Sequence, residues 1–291
     1  MTPILILAYL RPGQLQRVLN ALAHSNRKIY LFIDRADLQN SNLNESVYSI
    51  ARSYSYKLNL KIYWSPVRLG VKEAMPNALE WAFKFEEELI IVEDDCMFED
   101  EALGYLDKKI SEVKSNVVMV CASSPYIKPG KVSVLSSYPL IWVWATNRNA
   151  WKLLSAGIKR RNYIEASLIK MIRNPHKILP ICYFLAMRIR VSRNQIQAWD
   201  GPIALEMLCN NYLAIIPNIN MVQNDGYDSV SSNINAATWT SGFSRPTNSS
   251  ASDFIEKSLY SRIMINRTIR KQIYRMRLRH VLSPIKAAVA S

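Results

Sequence analysis

Leu89-Ile90-Ile91-Val92 runs directly into Glu93-Asp94-Asp95. A short apolar run of this kind reads as a buried strand. The three acids at its carboxyl end repel one another, so a fold that keeps them adjacent needs compensation. A divalent cation is the usual compensation, since carboxylate oxygens suit Mg²⁺ and Mn²⁺. In an open α/β sheet the carboxyl ends of strands are also where ligands bind. A solvated acidic loop accounts for the same residues, and the rest of the chain must separate the two readings.

The segments before this run alternate between strand and helix patterns. Residues 3–9, 28–34 and 58–64 read as strands, and 117–121 as a fifth after Leu89–Val92. Between them, Leu15, Val18, Leu19 and Leu22 recur at helical spacing behind Pro12, a favoured first helical residue. Val47, Ile50, Ala51 and Tyr54 form a second helical face, with Asn44 as a candidate N-cap. Met75, Ala78, Leu79 and Ala82 form a third. This βαβαβαβ order predicts an α/β fold with a parallel sheet and helices on both faces. The second half is less regular. Residues 136–151 are rich in aromatics, 159–193 read as basic helices or a lid, 199–208 as a helix and 212–217 as a strand. Residues 224–252 read as loops and the tail from about 254 as helix.

The chain has 291 residues, 49% hydrophobic and 21% charged, which is a globular composition with room for one large domain or two small ones. Cysteines at 96, 121, 182 and 209 show no metal-site spacing and are expected to be reduced thiols in a cytosolic protein. The start, Met-Thr-Pro-Ile-Leu-Ile-Leu, enters a strand at once and does not read as a signal peptide. No apolar run approaches the roughly 18 residues that a bilayer span needs. The net charge of +14 is concentrated: residues 257–286 hold nine Lys/Arg and no acid, and 159–193 hold nine and one, Glu165. Two basic attachments on a near-neutral body point to a polyanionic surface, nucleic acid or anionic lipid; a merely solubilising surface is the plainer alternative.

Five stretches in order resemble the nucleotide-sugar glycosyltransferases of GT-A fold. They are Pro-Ile-Leu-Ile-Leu-Ala-Tyr-Leu-Arg-Pro at 3–12, Phe-Ile-Asp at 32–34, Arg-Leu-Gly at 68–70, Glu-Asp-Asp-Cys at 93–96 and Trp-Asp at 199–200. Trp-Val-Trp-Ala-Thr-Asn-Arg-Asn-Ala-Trp at 142–151 and Ile-Pro-Asn at 216–218 also fit. The likeness is closest to bacterial transferases of surface-polysaccharide synthesis and more distant to class I N-acetylglucosaminyltransferases. It implies a nucleotide-sugar half at 1–125, an acceptor half at 126–252 and a basic helical tail at 253–291.

The resemblance gives the residues roles. Arg11, Asp34, Arg68, Lys72 and Asp94 are implied to bind the nucleotide sugar. Asp95 is implied to coordinate Mn²⁺ or Mg²⁺, a Lewis acid for the diphosphate leaving group. Asp200 is implied to be the base that takes the acceptor hydroxyl proton in an inverting transfer, with Glu206 in reserve. Trp199 is implied to pack on the acceptor sugar. Each has a plainer alternative: a surface arginine, a turn aspartate, an exposed lysine, a helix cap at Asp200. Trp142, Trp144 and Trp239 either line the acceptor groove or pack the core. Related proteins often carry a histidine after the Ile-Pro-Asn strand. This chain has none there, and Asp225, Asp228 or water would have to substitute.

The arginine-rich tail, with Ile265, Ile269, Ile273 and Met276 on one stripe, suits an anionic membrane surface. The expected setting is therefore the cytoplasmic face of the plasma membrane, with a carbohydrate or lipid-linked acceptor and no nucleic acid partner. Three other readings remain: a nucleic-acid-binding protein, a nucleotidyltransferase on a similar sheet, and a noncatalytic scaffold. The first lacks any helix-turn-helix, RNA-recognition or zinc-finger signature. The second lacks a glycine-rich N-terminal loop.

Overall fold

The structure is a computed structural model that describes residues 1–124 and 133–225. In chain order the strands are β1 (Ile4–Ala8), β2 (Ile29–Ile33), β3 (Leu60–Trp64), β4 (Glu88–Glu93), β5 (Cys96–Phe98), β6 (Val117–Cys121), β7 (Ser133–Ser136), β8 (Val143–Asn147), β9 (Leu213–Pro217) and β10 (Val222–Asn224). The helices are α1 (Pro12–Ala21), α2 (Ser41–Tyr54), α3 (Val71–Ala82), α4 (Asp100–Lys109), α5 (Arg148–Lys159), α6 (Tyr163–Arg173), α7 (Ile178–Ser192) and α8 (Asp200–Asn210).

Eight strands share one sheet in the order β3-β2-β1-β4-β8-β6-β9-β7. The pairs β3–β2, β2–β1, β1–β4 and β6–β9 are parallel. The central strands β1, β2 and β4 are almost wholly apolar and buried, as strands covered on both faces must be. The chain thus has a mixed α/β fold built on a large, mostly parallel sheet flanked by helices, as the alternating pattern predicts.

Two features go beyond the pattern. The antiparallel members of this mostly parallel sheet are β8, between β4 and β6, and β7, beside β9. Residues 136–151 read from sequence only as an aromatic stretch, yet Val143-Trp-Ala-Thr-Asn147 fills the gap between β4 and β6, its first four residues buried. Asn44 is the second. α2 begins at Ser41, so Asn44 lies inside the helix and not at its N-cap. It is buried, and its amide donates to the Tyr9 and Asp34 carbonyls at 2.8 Å each. Its carbonyl accepts from the Trp64 indole at 3.0 Å. One short side chain therefore ties the ends of β1, β2 and β3 together.

Two apolar cores result. The larger surrounds the sheet and includes Trp144, Trp151 and Trp199; the smaller lies among α6, α7 and α8, around Met171, Ile181, Leu185, Ile189 and Leu205. The four cysteines are unpaired thiols. Among the described residues no helix is long and apolar enough to cross a membrane. The loops read from 226 to 252, with Asp228 and Trp239, and the basic tail lie outside the described residues.

Candidate functional site

β1, β2, β3 and β4 run side by side in one direction, so their carboxyl ends open onto one edge of the sheet. β1 delivers Tyr9 and Arg11, with Pro12 starting α1 immediately after. β4 delivers Asp94 and Asp95. The ladder between them continues past the strands: the Asp94 N–H bonds the Leu7 carbonyl at 3.0 Å, and the Tyr9 N–H bonds Asp94 Oδ2 at 3.1 Å. Arg11 then reaches across, its Nη1 lying 2.6 Å from Asp95 Oδ2 and 3.5 Å from Asp94 Oδ1. A single guanidinium nitrogen is thus shared by two carboxylates.

The cluster carries more acid than base. Burial pushes the Glu93 carboxyl well up, and the charges of Asp95, Asp94 and Asp200 push it further; the Trp199 indole partly offsets this with a hydrogen bond. Asp94 is pushed up to about 7, chiefly by burial and then by Asp95, against the opposing pull of Arg11 and the Tyr9 N–H. Burial raises Asp200 as well. Groups raised above their ordinary range at the ends of parallel strands mark a functional-site candidate.

A second group lies beside the first, on β2 and β3. Asp34 accepts hydrogen bonds from the Leu69 and Gly70 N–H groups, at 2.9 and 2.8 Å. Its carboxylate therefore holds the loop after β3 in place. Burial raises its pKa, and those hydrogen bonds work against the rise. Gly70 has φ +74° and a Cβ there would lie 3.1 Å from Gln197 Oε1, so this loop position needs glycine. Arg68 pairs with Asp37 at 2.7 Å on the surface, and Tyr9 sits within the field of Arg68, Asp37 and Asp34. Lys72, in the first turn of α3, bonds Asn194 Oδ1 at 3.1 Å. Arg35 lies over the Trp64 ring at 4.1 Å, and Trp64 stacks on Tyr48.

The segment before α8 closes one side. Trp199 precedes α8 and Asp200 is its first residue, so the expected cap position falls one residue earlier. Asp200 is half-buried and lies within the field of Glu93. Trp199 is only 6% exposed, its ring 5.9 Å from that of the fully buried Trp144. Its face is spent on the core and its N–H on Glu93, which differs from the acceptor-facing role expected for it. Glu206, the reserve base, sits elsewhere. It is buried against Gly157 of α5, 3.7 Å from Arg160 and bonded to Asn210. A Cβ on residue 157 would come within 1.9 Å of Glu206 Cδ, so Gly157 exists to admit that side chain.

Several participants had no clear sequence signal. β10 pairs antiparallel with β5 and sets Asn224 opposite Cys96. Asn224 Nδ2 lies 3.2 Å from Asp95 Oδ1, and the Asp225 N–H bonds the Asp95 carbonyl at 2.8 Å. Asp225 was one of the expected substitutes for the missing histidine. Its carboxylate meets Arg17 at 2.8 Å instead.

The donor set can be tested against a cation. Asp94 Oδ1 and Asp95 Oδ2 both face the position of Arg11 Nη1. Mg²⁺ and Mn²⁺ sites commonly use one or two carboxylates and complete the shell with water and substrate phosphate. Among the described residues no three His, Cys, Asp or Glu side chains gather to hold a metal. The residues present thus fit an ion shared with a phosphate ligand, and not a closed protein cage.

No protein-family model matches the sequence, and no curated protein does. Solved structures overlap it loosely. One is a Bacillus anthracis protein assigned as a glucose-1-phosphate thymidylyltransferase, solved with sucrose: 9% identity, covering 53% of this chain and 75% of that one, TM-score 0.34. Another is the glycosyltransferase GlyE of Streptococcus pneumoniae: 11% identity, 56% and 40% coverage, TM-score 0.33. A third is the 4-diphosphocytidyl-2C-methyl-D-erythritol synthase of Anaerococcus prevotii: 9% identity, 90% and 96% coverage, TM-score 0.38. This chain thus spans two fifths of GlyE. Superpositions this loose carry no argument about chemistry, which rests on the site itself.

Proposed function

We propose that this protein is a glycosyltransferase of GT-A type. It would move a sugar from a nucleotide-diphosphate sugar to a carbohydrate acceptor, free or lipid-linked. The observation that carries this reading is Arg11 Nη1 shared between Asp94 and Asp95 at the ends of adjacent parallel strands, within a surplus of buried carboxylate. Such a surplus is costly to keep unless a cationic ligand or a cation-bearing substrate relieves it.

In this reading the donor lies along the loops after β1, β2, β3 and β4. Asp34 fixes the 68–70 loop for the nucleoside, and Tyr9, Arg68 and Lys72 border the same edge. Arg11 is the resident positive charge. It moves from the carboxylates to a phosphate oxygen when the donor arrives, its planar fork suiting that contact. Asp95, with Asp94 beside it, would hold Mn²⁺ or Mg²⁺. When bound, that ion supplies Lewis-acid stabilisation of the departing diphosphate. Asp200 takes the proton of the acceptor hydroxyl. Its raised pKa makes it a stronger base than an ordinary aspartate at neutral pH, which is the direction general-base catalysis needs. Backside attack by that hydroxyl gives inversion.

A noncatalytic scaffold draws on the same contact, since an Arg11 locked between Asp94 and Asp95 would exclude any cation. A thermal-shift panel of nucleoside diphosphates, each with and without Mn²⁺, separates the two. The transferase reading expects a Mn²⁺-dependent rise in Tm with one nucleotide, lost in Asp95→Ala. It also expects Asp200→Asn to keep that rise while sugar transfer falls by roughly 10²–10⁴-fold. Flat responses across the panel in the wild type would count for the scaffold or the nucleic-acid reading.

A further inference from the structure

α6 has apolar residues on both of its sides. The inner side, with Met171 and the partly buried Tyr163 and Ile164, packs on the small core with Ile181, Leu185 and Ile189. On the outer side Leu168, Ile169 and Ile172 form one stripe, and are 36%, 41% and 80% exposed. The chain then turns through Pro175–Lys177, and the first turn of α7 adds Ile178 and Leu179, 40% and 49% exposed. Five large apolar side chains thus lie open within twelve residues. Scattered exposed apolar residues are ordinary, but a contiguous patch marks an interaction surface.

The rim of this patch is mainly cationic toward the tip. Lys170 and Arg173 are interleaved with it and His176 sits in the turn; its one acid, Glu165, lies a turn back in α6 at the end away from the tip, and no Asp or Glu occurs between residues 166 and 199. Lys177 is held at the tip, its Nζ 2.6 Å from Asn211 Oδ1. An occupant must therefore be apolar at its centre and anionic at its edge. Nucleic acid meets the cations but leaves Ile172 in water. A second copy related by a two-fold axis would bring the two cationic rims together. The chain's own tail is no better suited, because residues 257–286 carry nine Lys/Arg and no acid. An anionic bilayer satisfies both requirements, with acyl chains beneath the stripe and lipid phosphates at the rim.

We propose that the α6–α7 tip docks this protein on the headgroup layer of an anionic membrane. The contact is separate from the one expected of the C-terminal tail, and it does not depend on the donor site, so either assignment can fail alone.

The test uses the full chain carrying Ile172→Trp, mixed with vesicles of phosphatidylcholine alone or with about 30% phosphatidylglycerol. The proposal expects a blue shift of emission and quenching by brominated lipid beyond that of the wild type, on the anionic vesicles only. Arg173→Ala in that background should weaken vesicle partitioning about five-fold at low salt, given the usual contribution of a basic residue near such a surface. Ile169→Ser with Leu179→Ser, in the same background, should weaken the quenching-detected contact about ten-fold or more. These residues face outward, so unchanged Tm values distinguish lost docking from lost folding. Four results overturn the proposal. One is an Ile172→Trp signal unchanged on anionic vesicles even when the protein sediments with them. Another is a signal produced by an oligonucleotide and not by lipid. A third is a dimer in sedimentation velocity that the double serine variant dissociates. The last is a lipid signal that appears only after residues 254–291 are deleted, which would make the tail the occupant.

Discussion

Two arginine–aspartate contacts lie at opposite ends of β1. At the amino end both Arg27 nitrogens meet Asp107, at 2.9 and 2.6 Å, and the Thr2 N–H adds a third bond at 2.9 Å. Burial alone would raise the Asp107 pKa, but these partners overcome it and hold the group at about 2. At the carboxyl end Arg11 offers one nitrogen to two carboxylates, and Asp94 stands at about 7. The residue types are the same and the electrostatics are opposite. Asp107 is a settled ion pair that steadies the sheet. Asp94 and its neighbours are held with raised pKa values at a cost to stability, the imbalance on which the proposed donor site rests.

The largest expected effect lies at the settled end. Asp107→Ala leaves the buried Arg27 with the Thr2 carbonyl but no counter-charge, and breaking such a pair destabilises by about 3 kcal/mol, a Tm fall of roughly 6–12 °C. Because the folded pKa is depressed, this stabilisation is present above the unfolded value near 4 and is lost as pH falls through about 2. The gap between variant and wild type should therefore persist from pH 8 to pH 5 and close below pH 4. Thermal melts across that range would measure it, and a gap that stayed open at pH 2 would remove the pair from the account.

At the other end the sign reverses. The unfolded chain ionises Asp94 near 3.8 while the folded chain keeps its proton to about 7, so the wild type loses stability as pH rises between those values. Asp94→Asn cannot ionise, and its carbonyl still accepts from the Tyr9 N–H. It should match the wild type near pH 4 and exceed it at pH 8, by on the order of 2 kcal/mol. If urea melts at pH 8 show the variant less stable, Asp94 is as settled as Asp107, and the contrast between the two ends fails.

The sequence exposed this contrast unevenly. β1, β2 and β4 were legible because continuous apolar runs have one economical home, a doubly covered sheet. The acids were legible because three in a row follow such a run. β8 was not, since an antiparallel strand inserted between β4 and β6 depends on the gap those strands leave, and its own residues read only as an aromatic stretch. Asn44 was misplaced because asparagine favours caps, and its three loop-end partners lie 35, 10 and 20 residues away. Trp199 was expected at the acceptor, but ring burial against Trp144 is a tertiary property no local spacing encodes. Gly157 and Glu206 are likewise paired across two helices. Asn224 reaches Asp95 only through the β5–β10 pairing, 129 residues apart.

The smallest expected effect on folding tests whether the charged edge divides into settled and waiting parts, or is all of one kind. Arg68 pairs with Asp37 at 2.7 Å, yet both side chains are substantially exposed, at 55% and 35%. Solvent screens such a pair, so Arg68→Ala should change stability by no more than about 0.5 kcal/mol. Arg68 nevertheless faces the same loop edge as Tyr9 and Asp34, whose pKa values it lowers through space. If the proposed donor site is right, a residue that contributes little to the fold but borders that site should appear in ligand affinity. Titration of the variant with the nucleoside diphosphate that stabilises the wild type should show binding weakened about ten-fold, the loss of one charge-assisted contact. Unchanged affinity with unchanged Tm would leave Arg68 as plain surface and confine the waiting charge to Arg11 and its carboxylates. A large fall in Tm would instead put Arg68 with Arg27, among the residues that hold the sheet together.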